Sequence, residues 1–194
     1  AKRMGVELEW VDMPFDSLVA AVAGGKLDMS ISCFNYDEER DEIVDFSEAY
    51  YTTEDAFVVT SAFAGTISAP EDVAAYKVGV QSGTVQDGWL TDNLVTPGLL
   101  PEANLSRYER VDQAALDLAN GRIEVLMGDY VPVQALVAQN PDLQIVYRGV
   151  LSTGPINIVL PDGDTALKAE VDRIIKELQA EGFIDQLAVK YFSE

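Results

Sequence analysis

The sequence contains no histidine. That removes the commonest general base and the commonest zinc ligand. Ser-His-Asp and Cys-His mechanisms are excluded with it. Cys33 is the single cysteine, so no disulfide can form within the chain. Cations are scarce: 13 Lys and Arg stand against 33 Asp and Glu, for a formal net charge of -20. Phosphate backbones need clustered Lys and Arg, so this balance argues against nucleic acid as a partner. An anionic membrane surface is disfavoured for the same reason. Nor is there an uninterrupted apolar run of about 18 residues, the length a membrane-spanning helix needs.

What remains is a globular composition, 48% hydrophobic over 194 residues. That length suits one large domain or two small lobes. Residues 6–11 alternate apolar with acidic side chains (Val6, Leu8 and Trp10 against Glu7 and Glu9), the pattern of a half-buried strand. Pro14 and Phe15 open a helix with Leu18, Ala21 and Val22 as its apolar stripe, and Gly24-Gly25 close it. Residues 27–32, 56–60, 76–80, 105–108, 123–127, 143–147 and 156–160 read as strands. Helices are expected over residues 85–94, after Asp112, from Pro132 to about Asn140, after Thr165 and over 183–192. Strand and helix patterns alternate, which makes this an α/β chain.

Four places carry candidate chemistry. Asp37 is expected to N-cap a short helix with Glu38 and Glu39 in its first turn. Arg40 shares that turn, where a cation opposes the helix dipole. Its guanidinium needs an anion, either a neighbouring acid or a ligand carboxylate gripped bidentately. Phe15 lies just before a helix, at a strand's C-terminal edge; it either staples the helix or faces a ligand. Gln81-Ser82-Gly83-Thr84 joins a strand to a helix, which is either an ordinary N-cap or an anion site of backbone N–H groups and a hydroxyl. Asp129 follows a buried strand and either caps the next helix or faces a ligand. Spacing alone leaves each pair open.

Residues 28–51 form the pattern Asp-x-x-x-Ser-x-x-Asn-x-x-x-Glu-Arg-x-x-x-Val-Asp-Phe-Ser-x-x-Tyr-Tyr. It resembles the signature of extracytoplasmic solute-binding proteins of the polar-amino-acid type (family 3), the capture subunits of ABC importers. The similarity continues through Gln81-Ser82-Gly83-Thr84 and the closing segment Phe-Ile-Asp-Gln-Leu-Ala-Val-Lys-Tyr-Phe. The resemblance implies a two-lobed periplasmic-binding-protein fold of type II, with two crossover segments at the hinge. Lobe one would be residues 1–60 and 156–194, lobe two 61–155. Residues 56–60 would be the first crossover and 61–68 the hinge exit. The opening Ala1-Lys2-Arg3-Met4-Gly5 resembles the end of the family's first helix, so the first βα unit of lobe one is expected to be missing.

The resemblance also implies the site. Arg40 and Thr84 would take an amino acid's α-carboxylate and Asp129 its α-ammonium, with Phe15 stacking on the ligand. Ser32, Cys33, Asn35, Gln81, Gly83 and Val85 would complete the set. Cys33 stands where the family usually has glycine, Asn35 where threonine is usual, and Val85 where glycine is frequent. A binding protein is implied rather than an enzyme, with no cofactor and no metal. It would be a monomer that closes on its ligand and delivers it to a membrane permease. Its place would be extracytoplasmic, in the periplasm or lipid-anchored at the cell surface, with a signal peptide in the precursor. Alternatives are the ligand-sensing domain of a receptor and a cyclohexadienyl dehydratase-like enzyme.

Overall fold

The computed structural model describes residues 1–152 and 154–192. In chain order the elements are α1 (Phe15–Ala23), β1 (Ser30–Asn35), α2 (Glu38–Asp41), β2 (Val44–Phe46), β3 (Tyr51–Thr52) and β4 (Asp55–Thr60). A 3-10 helix (Pro70–Ala75) precedes β5 (Val78–Gln81), α3 (Val85–Leu90) and a π-helical turn (Thr91–Val95). There follow a second 3-10 helix (Glu102–Asn104), β6 (Leu105–Tyr108), α4 (Val111–Ala119), β7 (Val125–Asp129), α5 (Tyr130–Gln139), β8 (Leu143–Gly149) and β9 (Pro155–Pro161). Helices α6 (Thr165–Ala180) and α7 (Phe183–Phe192) complete the list.

The chain folds as two units, residues 1–52 with 155–194, and residues 53–154. In the first, β9 pairs antiparallel with β1, β2 and β3. Pairing on both edges buries β9, and its side chains alternate between two layers. Val159 packs with Leu18 and Val22 of α1 and with Phe34, Val44 and Phe46. Ile158 and Leu160 face the other way, against Val171 and Ile175 of α6.

The second unit has the strand order β6-β5-β7-β4-β8. β5 runs parallel to β6 and β7, whereas β4 runs antiparallel to β7 and β8. Alternation sorts this core too. Phe57, Val59, Val80 and Met127 pack with Leu90, Leu94 and Leu100. Ala56, Val58 and Leu126 pack with Ala114 and Leu118 of α4 and Val133 of α5. Because β4 is antiparallel, its first residue, Asp55, lies opposite the last residue of β7, Asp129.

Several expectations are corrected. The first boundary falls at Thr52/Thr53, not at residue 60. Residues 56–60 are no crossover: β4 is hydrogen-bonded on both sides within the second sheet, and residues 61–68 lie in that unit as well. Residues 6–11 form no strand, and Val6, Leu8 and Trp10 are exposed, Trp10 at 79%. Alternation favours a strand only where a neighbour completes its hydrogen bonds. The strand expected over 27–32 runs over Ser30–Asn35. The helix after residue 84 leaves α geometry at Leu90. Asp164, rather than Thr165, caps α6, accepting from the Leu167 N–H. Arg110, rather than Asp112, precedes α4, and Leu116 points outward at 63% exposure.

Candidate functional site

In the first unit the candidate residues gather around the C-terminal end of β1. Asp37 caps α2 as expected, its carboxylate accepting the Arg40 N–H at 2.9 Å. That cap fixes the start of the turn and sends the Arg40 side chain back over the aromatic rings. Its guanidinium carbon lies 5.8 Å from the centroid of Phe15 and 5.7 Å from that of Phe34. The two rings stack on each other. Burial lowers the Arg40 pKa from its ordinary value, and the Asp37 charge partly opposes this. The cation is therefore partly stripped of water and rests on two π faces, a placement that strengthens its pull on an anion.

Ser32, Cys33 and Asn35 lie on β1 itself. The β1–β9 register slips between Ser30 and Phe34, and Cys33 sits inside that slip with φ +52°. Left-handed backbone is strained for a side chain with a Cβ. Here is the physical content of a glycine at this place, and Cys33 holds the conformation at a cost. Asn35 is 6% exposed, and its Nδ2 has no hydrogen-bond partner among the described residues. A buried donor left without a partner is costly unless something binds it.

In the second unit, Gln81 ends β5, and its Nε2 donates to the Glu109 carbonyl at 3.0 Å. Gly83 takes φ +71°, which makes the tight turn into α3 possible. Thr84 is the N-cap of α3, accepting the Asp87 N–H while its own hydroxyl donates to the Gln81 carbonyl at 2.8 Å. The Gly83 N–H reaches the Asp87 carboxylate at 3.2 Å. The hydroxyl and one loop amide thus serve the loop's own geometry. Val85 begins α3.

Asp129 takes the capping role. Its Oδ1 caps α5, accepting from the Val131 N–H at 3.0 Å, and also accepts from the Thr53 hydroxyl at 2.7 Å. Its Oδ2 is buried and has no hydrogen-bond partner among the described residues. Burial raises the Asp129 pKa to about 6; the Thr53 and Val131 hydrogen bonds pull it down, and the charge of Asp55 pushes it up. The arrangement is a desolvated carboxylate with one oxygen held and one bare, which attracts a cation strongly. Thr53, Asp55 and Phe34 were not among the expected site residues. A polar Thr-Glu-Asp run ahead of four apolar residues was the one local signal for the first two.

The family model of the bacterial extracellular solute-binding proteins, family 3, matches residues 1–194. The chain belongs to this family. A probable histidine-binding protein of Campylobacter jejuni is 27% identical over 192 residues, covering 98% of this chain and 72% of that protein. Among solved structures, an ancestral arginine-binding protein bound to arginine superposes with TM-score 0.89 at 28% identity, over 99% of this chain and 83% of that one. A mutant of ArgBP from T. maritima gives TM-score 0.90 at 34% identity, over 100% of this chain and 81% of that one. The α/β fold of this solute-binding protein therefore matches the expected class. Binding, not catalysis, is what the family and these relatives share. Proteins of this extracellular family work in the periplasm or at the cell surface.

Proposed function

We propose that this chain binds a free amino acid as its zwitterion and delivers it to the membrane permease of an ABC importer. One observation carries the reading: a buried carboxylate oxygen on Asp129 with no hydrogen-bond partner among the described residues, suited to an ammonium group. Arg40, half-desolvated on Phe15 and Phe34, takes the α-carboxylate. Thr84 assists through its backbone N–H, since its hydroxyl hydrogen is committed to Gln81. Opposite charges reading the two ends of one molecule reject simple amines and simple acids. The Asn35 amide, buried on β1, supplies a further donor. Ser32, Cys33, Gln81, Gly83 and Val85 shape the surroundings. The protein acts as a monomer, either in the periplasm or lipid-anchored at the cell surface.

The names of the relatives put L-arginine and L-histidine first in a ligand screen. A ligand that binds only the folded state raises its melting temperature. Thermal shift across the common amino acids is expected to give at least one strong stabiliser. Arg40→Ala and Asp129→Asn each remove that shift. Its survival in either variant refutes the corresponding half of the assignment.

A further inference from the structure

We propose that Asp55 is a positioning residue for the ligand's ammonium, holding a second fixed carboxylate beside Asp129 and so setting how strongly Asp129 attracts a cation. This rests on the assignment of Asp129 to the ammonium. Asp55 opens β4 and is the direct ladder partner of Asp129 on β7. Partners in an antiparallel ladder send their side chains to the same face. Asp55 is completely buried.

Its carboxylate is fixed from two directions. Oδ1 accepts from Gln86 Nε2 of α3 at 3.1 Å and from the Ser152 hydroxyl at 3.0 Å. Oδ2 accepts from the Leu151 and Ser152 N–H groups, each at 2.8 Å. These donors tie the stretch after β8 to the start of β4. They leave the charge of Asp55 close to an Asp129 that keeps one oxygen bare. Nearby, Glu54 and Arg148 form an ion pair with each other, and the Arg148 guanidinium lies 3.7 Å from the centroid of the Tyr130 ring. The charge of Asp55 acts on Asp129, adding to the larger effect of burial. Two carboxylates held side by side repel, and a cation that settles on one is attracted by both.

A purely structural Asp55 would anchor residues 151–152 and nothing more, so the test must read the charge. The carboxyl carbons of labelled aspartate are followed by NMR against pH in the ligand-free protein. Asp129 is expected to titrate with a midpoint of about 6. In Asp55→Asn that midpoint drops by about half a unit or more. Affinity for L-arginine at pH 7.5 falls by roughly three- to tenfold, and the acid limit of binding moves to lower pH with the midpoint. An Asp55→Asn variant that folds with an unchanged Asp129 midpoint overturns the proposal, whatever happens to its melting temperature. Should the variant fail to fold, the wild-type spectra decide. The Asp55 carbon must show a small secondary step at the Asp129 midpoint, and a featureless Asp55 signal overturns the proposal equally. Asp129→Asn separates the two claims. If L-arginine binds that variant as it binds wild type, the ammonium assignment fails, while the coupling of the two carboxylates, read without ligand, is unaffected.

Discussion

The ring of Phe15 stacks on that of Phe34, with centroids 4.5 Å apart and 23° between the planes. One ring comes from the start of α1 and the other from β1, so helix and strand jointly present the surface beneath the Arg40 guanidinium. A partly desolvated cation on aromatic faces gains on the order of 1 kcal/mol. Phe15→Leu keeps the apolar bulk and removes the π face. It is expected to weaken amino-acid binding about fivefold by calorimetry while shifting the melting temperature little. Phe34 is completely buried, so Phe34→Ala instead costs about 3 kcal/mol or more of stability through the cavity it leaves. Wild-type affinity in Phe15→Leu would remove the ring from the site.

Cys33 occupies left-handed backbone at φ +52°. In a strand, alanine normally outlasts glycine, because glycine has more freedom to lose. At this φ the order inverts, since any Cβ meets the preceding backbone at a cost of about 1–2 kcal/mol. Cys33→Gly is expected to be more stable than Cys33→Ala by about 1 kcal/mol in urea unfolding. Equal stabilities would mean the strain has been relaxed elsewhere.

The pH dependence of the ligand-free protein follows from Asp129. Its folded-state pKa of about 6 stands above the ordinary 3.8, with burial as the largest cause and the Asp55 charge adding to it. Between those values the folded state keeps a proton that the unfolded chain has released. Stability from this group is therefore greatest below about pH 4 and declines as pH rises through about 6. Above that, the ionised group costs on the order of 3 kcal/mol. Asp129→Asn is expected to be more stable than wild type at pH 7.5, about equal at pH 4, and unable to bind ligand. Such an exchange of stability for function is common at binding sites. Urea unfolding at both pH values checks it, and a variant weaker than wild type at pH 7.5 contradicts it.

Local chemistry was legible in the sequence and pairing was not. Asp37 ahead of Glu38-Glu39 announced a cap, and it caps. The strand, glycine and threonine around Gly83 announced a turn into a helix, and Gly83 and Thr84 make it. Asp129 could be seen as a helix cap because it ends a buried strand and begins a helix. By contrast, the alternation at Val6, Leu8 and Trp10 says nothing about whether a strand is available beside it. The apolar run after Asp55 reads as buried without saying in which sheet. Asp55 itself looked like one acid among 33, and only the ladder brings it to Asp129. Phe34 was invisible as a candidate for the same reason: its partner Phe15 lies nineteen positions earlier in the chain.

Arg107 on β6 supports the loop that carries Thr84. Its Nε donates to Asp87 Oδ1 at 2.7 Å, one Nη to Glu102 at 2.6 Å and the other to the Thr91 hydroxyl at 2.9 Å. Asp87 is nearly buried and, through its other oxygen, holds the Gly83 N–H. The guanidinium therefore links β6, the π-helical turn and the Gly83 loop through a single planar group. An ammonium has no such fork and reaches one of these acceptors at a time. Arg107→Lys should lose nearly as much stability as Arg107→Ala, about 1–2 kcal/mol after allowance for the solvent that reaches this side chain. Both should also raise hydrogen exchange at Gly83 and Thr84, because Asp87 loses the group that orients it. If lysine restores wild-type stability, charge alone suffices and the fork has no role.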